Sequence, residues 1–435
     1  MSTKSLRPFA PLALAALVSN AFADNPDLTL YVTLDAAIAH IDHALNFDPY
    51  HPVANNPNVT HGYDAATGML NGAMSATKWG VKGSDDLGGG WKAIFLLESG
   101  FNLPSGNTSN AAQGLANNKS TGPNMSADSA ISGQFFSRGA FAGFSSNTWG
   151  TLTVGRQQSF FLDNIAIFDP ILGSQAFSPM GFSGSYGGGG YTDDSRVDNS
   201  LKYRLAVGDF DLGALYKFGG VAGAFSAQSA WEANVVYAAG PLAIQWGYES
   251  FWDGFSVNNN TGNGTVKVTA ADTQAYMISA KYSWRAATFR AGWEKEKFQN
   301  PANPTYDLQM TSIYNIPIAP PVNVNPFPGQ QKTLNDYWLG IQYQFTPAIS
   351  VLTGAWHVVQ NDYSCANPAT SSGCSGALNY YSIVGDYALS KRTDVYLGVM
   401  DSRVSGGPAN AVLNAPPNPS ENSNVLYALG LRLRI

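Results

Sequence analysis

The chain holds few side chains suited to covalent chemistry, and their spacing works against it. Its five histidines are His40, His43, His51, His61 and His357. His40 and His43 are three apart, which on a strand puts them on opposite faces. His51 and His61 fall in a polar stretch and His357 stands alone, so no Ser–His–Asp arrangement can be placed. His43, Asp48, His51 and His61 match no ordinary metal-ligand spacing, and neither a metal nor a cofactor is expected. The run Gly187–Gly190 lacks the Lys-Ser/Thr and the helix that a phosphate-binding loop needs. No catalytic residue is assigned.

What remains is charge. Lys78 and Lys82 share one face of a strand by period-2 alternation. Arg138, Arg156 and Arg196 lie opposite the apolar faces of later strands or at strand ends. Asp163 and Asp169 stand in the intervening segment 158–195. Cations on one wall and carboxylates across a narrow aqueous gap would make a transverse field. Such a field breaks no bond; it orients dipolar solutes and sorts ions.

The elements that would position these residues are strands. In 435 residues only 12% are charged, yet mean hydropathy is −0.11 and there are 45 Gly and 21 Tyr. No stretch is long and apolar enough to cross a bilayer as a helix. Period-2 segments recur from Leu28 to Ile435. In the last one Tyr427, Leu429, Leu431, Leu433 and Ile435 alternate with Ala428, Gly430, Arg432 and Arg434. The same rule sets Arg196, Asp198, Ser200, Lys202 and Arg204 against Val197, Asn199, Leu201, Tyr203 and Leu205. So many charged faces fit an apolar exterior around a wet interior.

Seven short turns, from Asp85–Gly90 to Leu389–Arg392, alternate with eight long loops, at about 44–72, 103–132, 158–195, 220–228, 254–271, 298–332, 361–378 and 403–421. Together they join 16 strands. The expectation is an all-β fold: one closed 16-stranded antiparallel transmembrane β-barrel over residues 24–435, with short periplasmic turns and long extracellular loops. Tyr31, Trp79, Trp91, Phe141, Trp149, Tyr203, Tyr237, Trp293, Tyr337 and Tyr427 are candidates for interfacial girdles. The basic Lys4 and Arg7, the apolar run Pro8 to Val18 and Ala21-Phe22-Ala23 read as a signal peptide over 1–23. Without it, 22 basic residues face 30 acidic ones, so no nucleic-acid partner is expected. In an exported chain Cys365 and Cys374 read as a local disulfide.

Thr77–Ala93, with its Lys78-Trp79-Gly80-Val81-Lys82-Gly83-Ser84-Asp85-Asp86-Leu87-Gly88 run, resembles the second-to-third strand hairpin of Gram-negative general porins, closest to the Burkholderia and Neisseria type. Glu98–Phe101, Phe136–Gly143, Trp149–Gln157 and Asn199–Tyr203 continue the resemblance in order. It implies a homotrimeric outer-membrane channel, embedded in lipid and lipopolysaccharide, for passive diffusion of ions and small hydrophilic solutes. It also implies a third loop folded into the lumen, with Lys78, Lys82, Arg138 and Arg196 on the basic wall of the constriction. Arg156, and Asp163 and Asp169 on the loop, are further candidates. The resembled family ends on Phe, which the barrel-assembly machinery reads; here Ile435 stands there. A substrate-selective porin and a surface adhesin using the long loops are the alternative readings, and an enzyme is not expected. Ion preference leans weakly to anions.

Overall fold

The computed structural model describes residues 27–42, 65–106, 135–181, 196–252, 267–268, 272–300, 302, 306–307, 312–313, 316–317, 331–362, 375–406 and 423–435. The segment 1–23 expected to be a signal peptide, Cys365 and Cys374, Gly187–Gly190 and His43, Asp48, His51 and His61 lie outside these residues.

Alternation in the sequence becomes two faces of a closed sheet. In β1 (Asp27–Asp42), Asp35, Ala37, Ala39 and Ile41 are buried, while Leu28, Leu30 and Ile38 stand exposed on the other side. The chain continues through β2 (Ala66–Asn71), β3 (Lys78–Gly88), β4 (Trp91–Gly100), β5 (Gly139–Ser146), β6 (Gly150–Gln158), β7 (Arg196–Val207), β8 (Phe210–Lys217), β9 (Ala230–Ala239) and β10 (Leu242–Phe251). A two-residue β11 (Lys267–Val268) precedes β12 (Asp272–Trp284) and β13 (Ala287–Gln299). The short β14 (Tyr306–Asp307), β15 (Ser312–Ile313) and β16 (Ile316–Pro317) follow; β11 pairs with β14 and β15 with β16, outside the main sheet. The sheet ends with β17 (Lys332–Gln344), β18 (Ile349–Gln360), β19 (Gly376–Ala388), β20 (Thr393–Gly406) and β21 (Ser423–Arg434).

Every neighbouring pair is antiparallel, and β1 pairs with β21 to close the ring. Ile435 seals the seam by exchanging backbone hydrogen bonds with Val32, at 2.9 and 3.0 Å. β2 and β3 both pair with β1 and are two halves of one barrel strand, so the barrel has 16 strands, as expected. Some boundaries move: residues 66–71 are strand and not loop, the first turn contracts to Gly89–Gly90, β5 starts only at Gly139, β19 starts at Gly376 and β20 runs on to Gly406. Two of the candidate girdle aromatics point inward. Tyr31 donates its hydroxyl to Glu98, and Phe141 lines the lumen. Trp149, Tyr337 and Tyr427 are exposed on the outer face.

The segment after β6 turns inside the barrel. It forms a short helix, α1 (Phe160–Phe168), capped by the Ser159 hydroxyl, which accepts the Leu162 N–H at 3.1 Å. The apolar residues of this segment pack on the barrel wall: Phe161, Ile165, Ile171 and Phe177 share one cluster with Trp338, Trp356 and Tyr396. Close approach requires glycine in the wall. A Cβ at Gly398 would lie 2.6 Å from the Phe177 ring, and one at Gly213 would lie 2.3 Å from Phe160.

The gap between β2 and β3 is the second anchor. Residues 72–77 leave the ladder, and their backbone is satisfied by Asp35. Its carboxylate accepts the N–H groups of Met74 (3.1 Å) and Ser75 (2.6 Å) and the Tyr396 hydroxyl. The freed Ala73 carbonyl accepts the Ala176 N–H and the Ser174 hydroxyl, both at 2.8 Å, which ties the inner segment to the wall. Asp35→Ala would strand three buried donors, each costing about 1–3 kcal/mol. The expected outcome is a lower urea midpoint of unfolding, corresponding to a stability loss of roughly 3–9 kcal/mol, read by the gel shift between folded and heat-unfolded barrel.

Candidate functional site: a charged passage between wall and loop

Three strands bring the wall charges together. Glu98 on β4 accepts Arg138 Nε and Lys78 Nζ, each at 2.9 Å, and the Tyr31 hydroxyl at 2.7 Å. One carboxylate thus holds two cations side by side and leaves a net positive cluster. Lys78 and Arg138 line two adjoining cavities of about 340 Å³ each. The first also takes in Arg196 and Arg432, with Asp386 as the one carboxylate among the described residues that line it. Glu98, Asp163, Lys202 and Arg204 line the second. Asp386 is itself 3.2 Å from Arg432, so the first cavity is dominated by positive charge.

Of the expected wall residues, the structure brings Lys78, Arg138 and Arg196 to one cavity. Lys82 lies on the same side, with its ammonium 5.9 Å from the Tyr31 ring, and lines neither cavity. Arg156 corrects the expectation. It donates to the Ser137 carbonyl at 2.6 Å, pairs with Asp198 and lines neither cavity. The reason is local: the β6–β7 ladder shifts register between Gly155 and Gln157, beside Asn199 in a left-handed conformation (φ 53°). The bulge interrupts the alternation at the end of β6, where Arg156 stands.

The loop acids are also taken up locally. Asp163 on α1 lies 2.7 Å from Lys202 and 3.3 Å from Arg204, so two wall cations hold it. Asp169 is 0% exposed and does not face the passage, which corrects its placement. Its carboxylate accepts four hydrogen bonds: from Ile171 N–H (3.0 Å), Gly173 N–H (2.9 Å), the Ser178 hydroxyl (2.8 Å) and Trp356 Nε1 (3.0 Å). Burial pushes the Asp169 carboxyl up to about 6, against the pull of these donors. Asp169 is therefore a clasp that shapes the loop.

Further side chains hold α1, and the sequence pattern alone did not mark them. At its N-terminus the Glu232 carboxylate accepts the Phe160 N–H at 2.6 Å. At its C-terminus Arg290 Nε donates to the Ile167 carbonyl (3.0 Å) and Trp338 Nε1 to the Phe168 carbonyl (3.1 Å). Asn164 and Asn234 bond in between at 2.8 Å. The helix itself was readable: Ser159 before Phe160, Phe161, Ile165 and Phe168, then Asp169-Pro170, is a cap, an i/i+4 stripe and a stop.

The clasp has a conformational consequence. Leu172, between the two N–H groups that Asp169 binds, has φ 60°, a left-handed conformation costing about 1–2 kcal/mol for an L-residue with a Cβ. Its side chain is 37% exposed and lines the first cavity.

A closed 16-stranded barrel with a loop folded inside against a charged wall defines a transmembrane diffusion channel. The comparisons give the family. Residues 10–407 match the model of the Gram-negative porin family, and the chain belongs to it. An outer membrane porin of Bordetella pertussis is 26% identical over 399 residues, covering 88% of this chain and 91% of that protein. The fold is shared with an anion-selective porin from Comamonas acidovorans (TM-score 0.61, 19% identity, 94% of this chain and 100% of that one). It is also shared with the outer membrane protein OmpT of Vibrio cholerae in its trimer form (TM-score 0.55, 13% identity, 95% of this chain and 100% of that one). The protein is an outer-membrane porin of the Gram-negative type.

If Asp169 shapes the loop, removing it widens or loosens the passage. Asp169→Ala leaves four donors unpaired, each costing about 1–3 kcal/mol. The expected result in a planar bilayer is a higher single-channel conductance with more open-channel noise.

Proposed function

We propose that this porin passes small hydrophilic solutes through a constriction whose field favours anions. One observation carries the reading. Among the described residues, Lys78, Arg138, Arg196 and Arg432 line the first cavity with Asp386 as the single carboxylate, and Asp386 is paired. The rule for pores of this kind is that fixed cations lower the barrier for anions and raise it for cations. The chain's formal charge of −6 points the other way. A fixed charge at the narrowest point outweighs one more than a Debye length away, about 8 Å at physiological salt.

We further propose that the porin assembles as a homotrimer, in line with the trimer form of the fold neighbour from Vibrio cholerae. Its proposed role is passive, in line with relatives that carry the names of porins.

The test is the reversal potential in a planar bilayer under a potassium chloride gradient. The expected sign is chloride preference. Lys78→Gln removes one charge from the cavity and is expected to lower the anion-to-cation permeability ratio severalfold; about 1.4 kcal/mol of site potential is a tenfold change. Asp163→Asn removes the carboxylate that Lys202 and Arg204 share, leaving Arg204 on Asp211, and is expected to raise the ratio. A wild-type channel that prefers potassium would overturn the reading.

A further inference from the structure

The wall of the passage is cationic, but the described part of the loop that faces it offers no open carboxylate. Among the described residues of the inner segment, 159–181, the exposed side chains are Ala166, Ile167 and Leu172, with Leu162 half-buried beside them. Asp163 is engaged by Lys202 and Arg204, and Asp169 is turned into the wall. The first cavity therefore has two chemically distinct sides: Lys78, Arg138 and Arg196 on one, and Leu162, Ala166 and Leu172 on the other.

The apolar side is not an accident of leftover surface. Leu172 occupies a left-handed position that glycine or asparagine would take at less cost. The Asp169 clasp on Ile171 and Gly173 holds it there, with its side chain in a wet passage. Strain of this kind persists where the surroundings over-determine it, and it collects at binding sites.

We infer that the constriction is a subsite for amphipathic organic anions: small monocarboxylates whose carboxylate meets Lys78, Arg138 and Arg196 while an apolar tail lies on Leu162, Ala166 and Leu172. A cation wall alone would treat all anions of equal size and charge alike. An apolar strip opposite adds attraction for those with a hydrocarbon end, because water leaves both surfaces when the tail seats. The inference rests on the anion reading above and adds a solute class to it.

Hexanoate and gluconate test it, since both are six-carbon monocarboxylates and differ in having an apolar or a hydroxylated chain. The measurement is block of chloride current through the purified channel in a planar bilayer, titrated with each anion. The expected half-blocking concentration is about tenfold lower for hexanoate, the gain from seating one or two methylenes. Leu172→Asn, whose new side chain tolerates the left-handed backbone, is expected to bring the two anions to within about twofold. Partition of hexanoate into the bilayer would not change with that residue, so the variant separates the two effects. Equal block by hexanoate and gluconate in the wild-type channel overturns the subsite. If chloride preference is still seen in that case, the anion reading stands without it. An undiminished hexanoate preference in Leu172→Asn also overturns it, and potassium preference in the wild type overturns both.

Discussion

The hydrocarbon core of a bilayer offers no hydrogen bonds, and the structure follows from that constraint. Every backbone N–H and C=O at that depth must find a partner in the protein, so a sheet can cross only if it closes. The β1–β21 ladder, from Thr33–Arg434 to Asp42–Val425, and the Ile435–Val32 exchange remove the last edges. Closure fixes register, and register fixes which side chain of each pair meets lipid and which meets water. It also leaves a wide interior, and a sieve then needs something placed inside it.

The inner segment meets that need, at the cost of a backbone that must be satisfied away from bulk water. The barrel supplies partners at each point. Glu232 meets the start of α1, Arg290 and Trp338 meet its end, Trp356 reaches Asp169, and the Ala73 carbonyl, freed by the break between β2 and β3, takes Ala176 and Ser174. The break in the strand and the folded loop are thus one device. The same docking explains part of the glycine content. Gly213 and Gly398 stand where loop aromatics touch the wall, and any Cβ there would displace them.

The period-2 pattern made the barrel legible because one face of each strand repeats every second residue for as long as the strand runs. Strand number, turn positions and the inward placement of Lys78 and Lys82 all come from that periodicity. Where the ladder slips, the inference fails. Arg156, expected opposite an apolar face or at a strand end, stands at a bulge beside Asn199 and lines neither of the two cavities. Residues 66–71 were placed in a loop because Gly72–Thr77 interrupts the pattern, although both sides of the gap pair with β1. Asp169 could not be told from a lumen charge, since its donors Trp356 and Ser178 come from distant or irregular backbone. The helix over Phe160–Phe168 carried its own cap and stripe, which strand periodicity elsewhere had masked.

The net charge shows why local bookkeeping decides the function and a whole-chain sum does not. Several acidic side chains near the passage are taken up by cations of the wall. Glu98 gathers Lys78 and Arg138, Asp163 faces Lys202 and Arg204, and Asp394 lies within 3.0 Å of Arg432 and 2.9 Å of Arg434. Glu232, Glu249, Glu294 and Asp336 are buried on β9, β10, β13 and β17, where α1 packs, and line neither cavity. A carboxylate between two cations still leaves positive charge in excess. A carboxylate in a clasp shapes the backbone while adding no open charge to the passage. On the proposed reading a negative protein carries a positive constriction, and the solute meets the constriction.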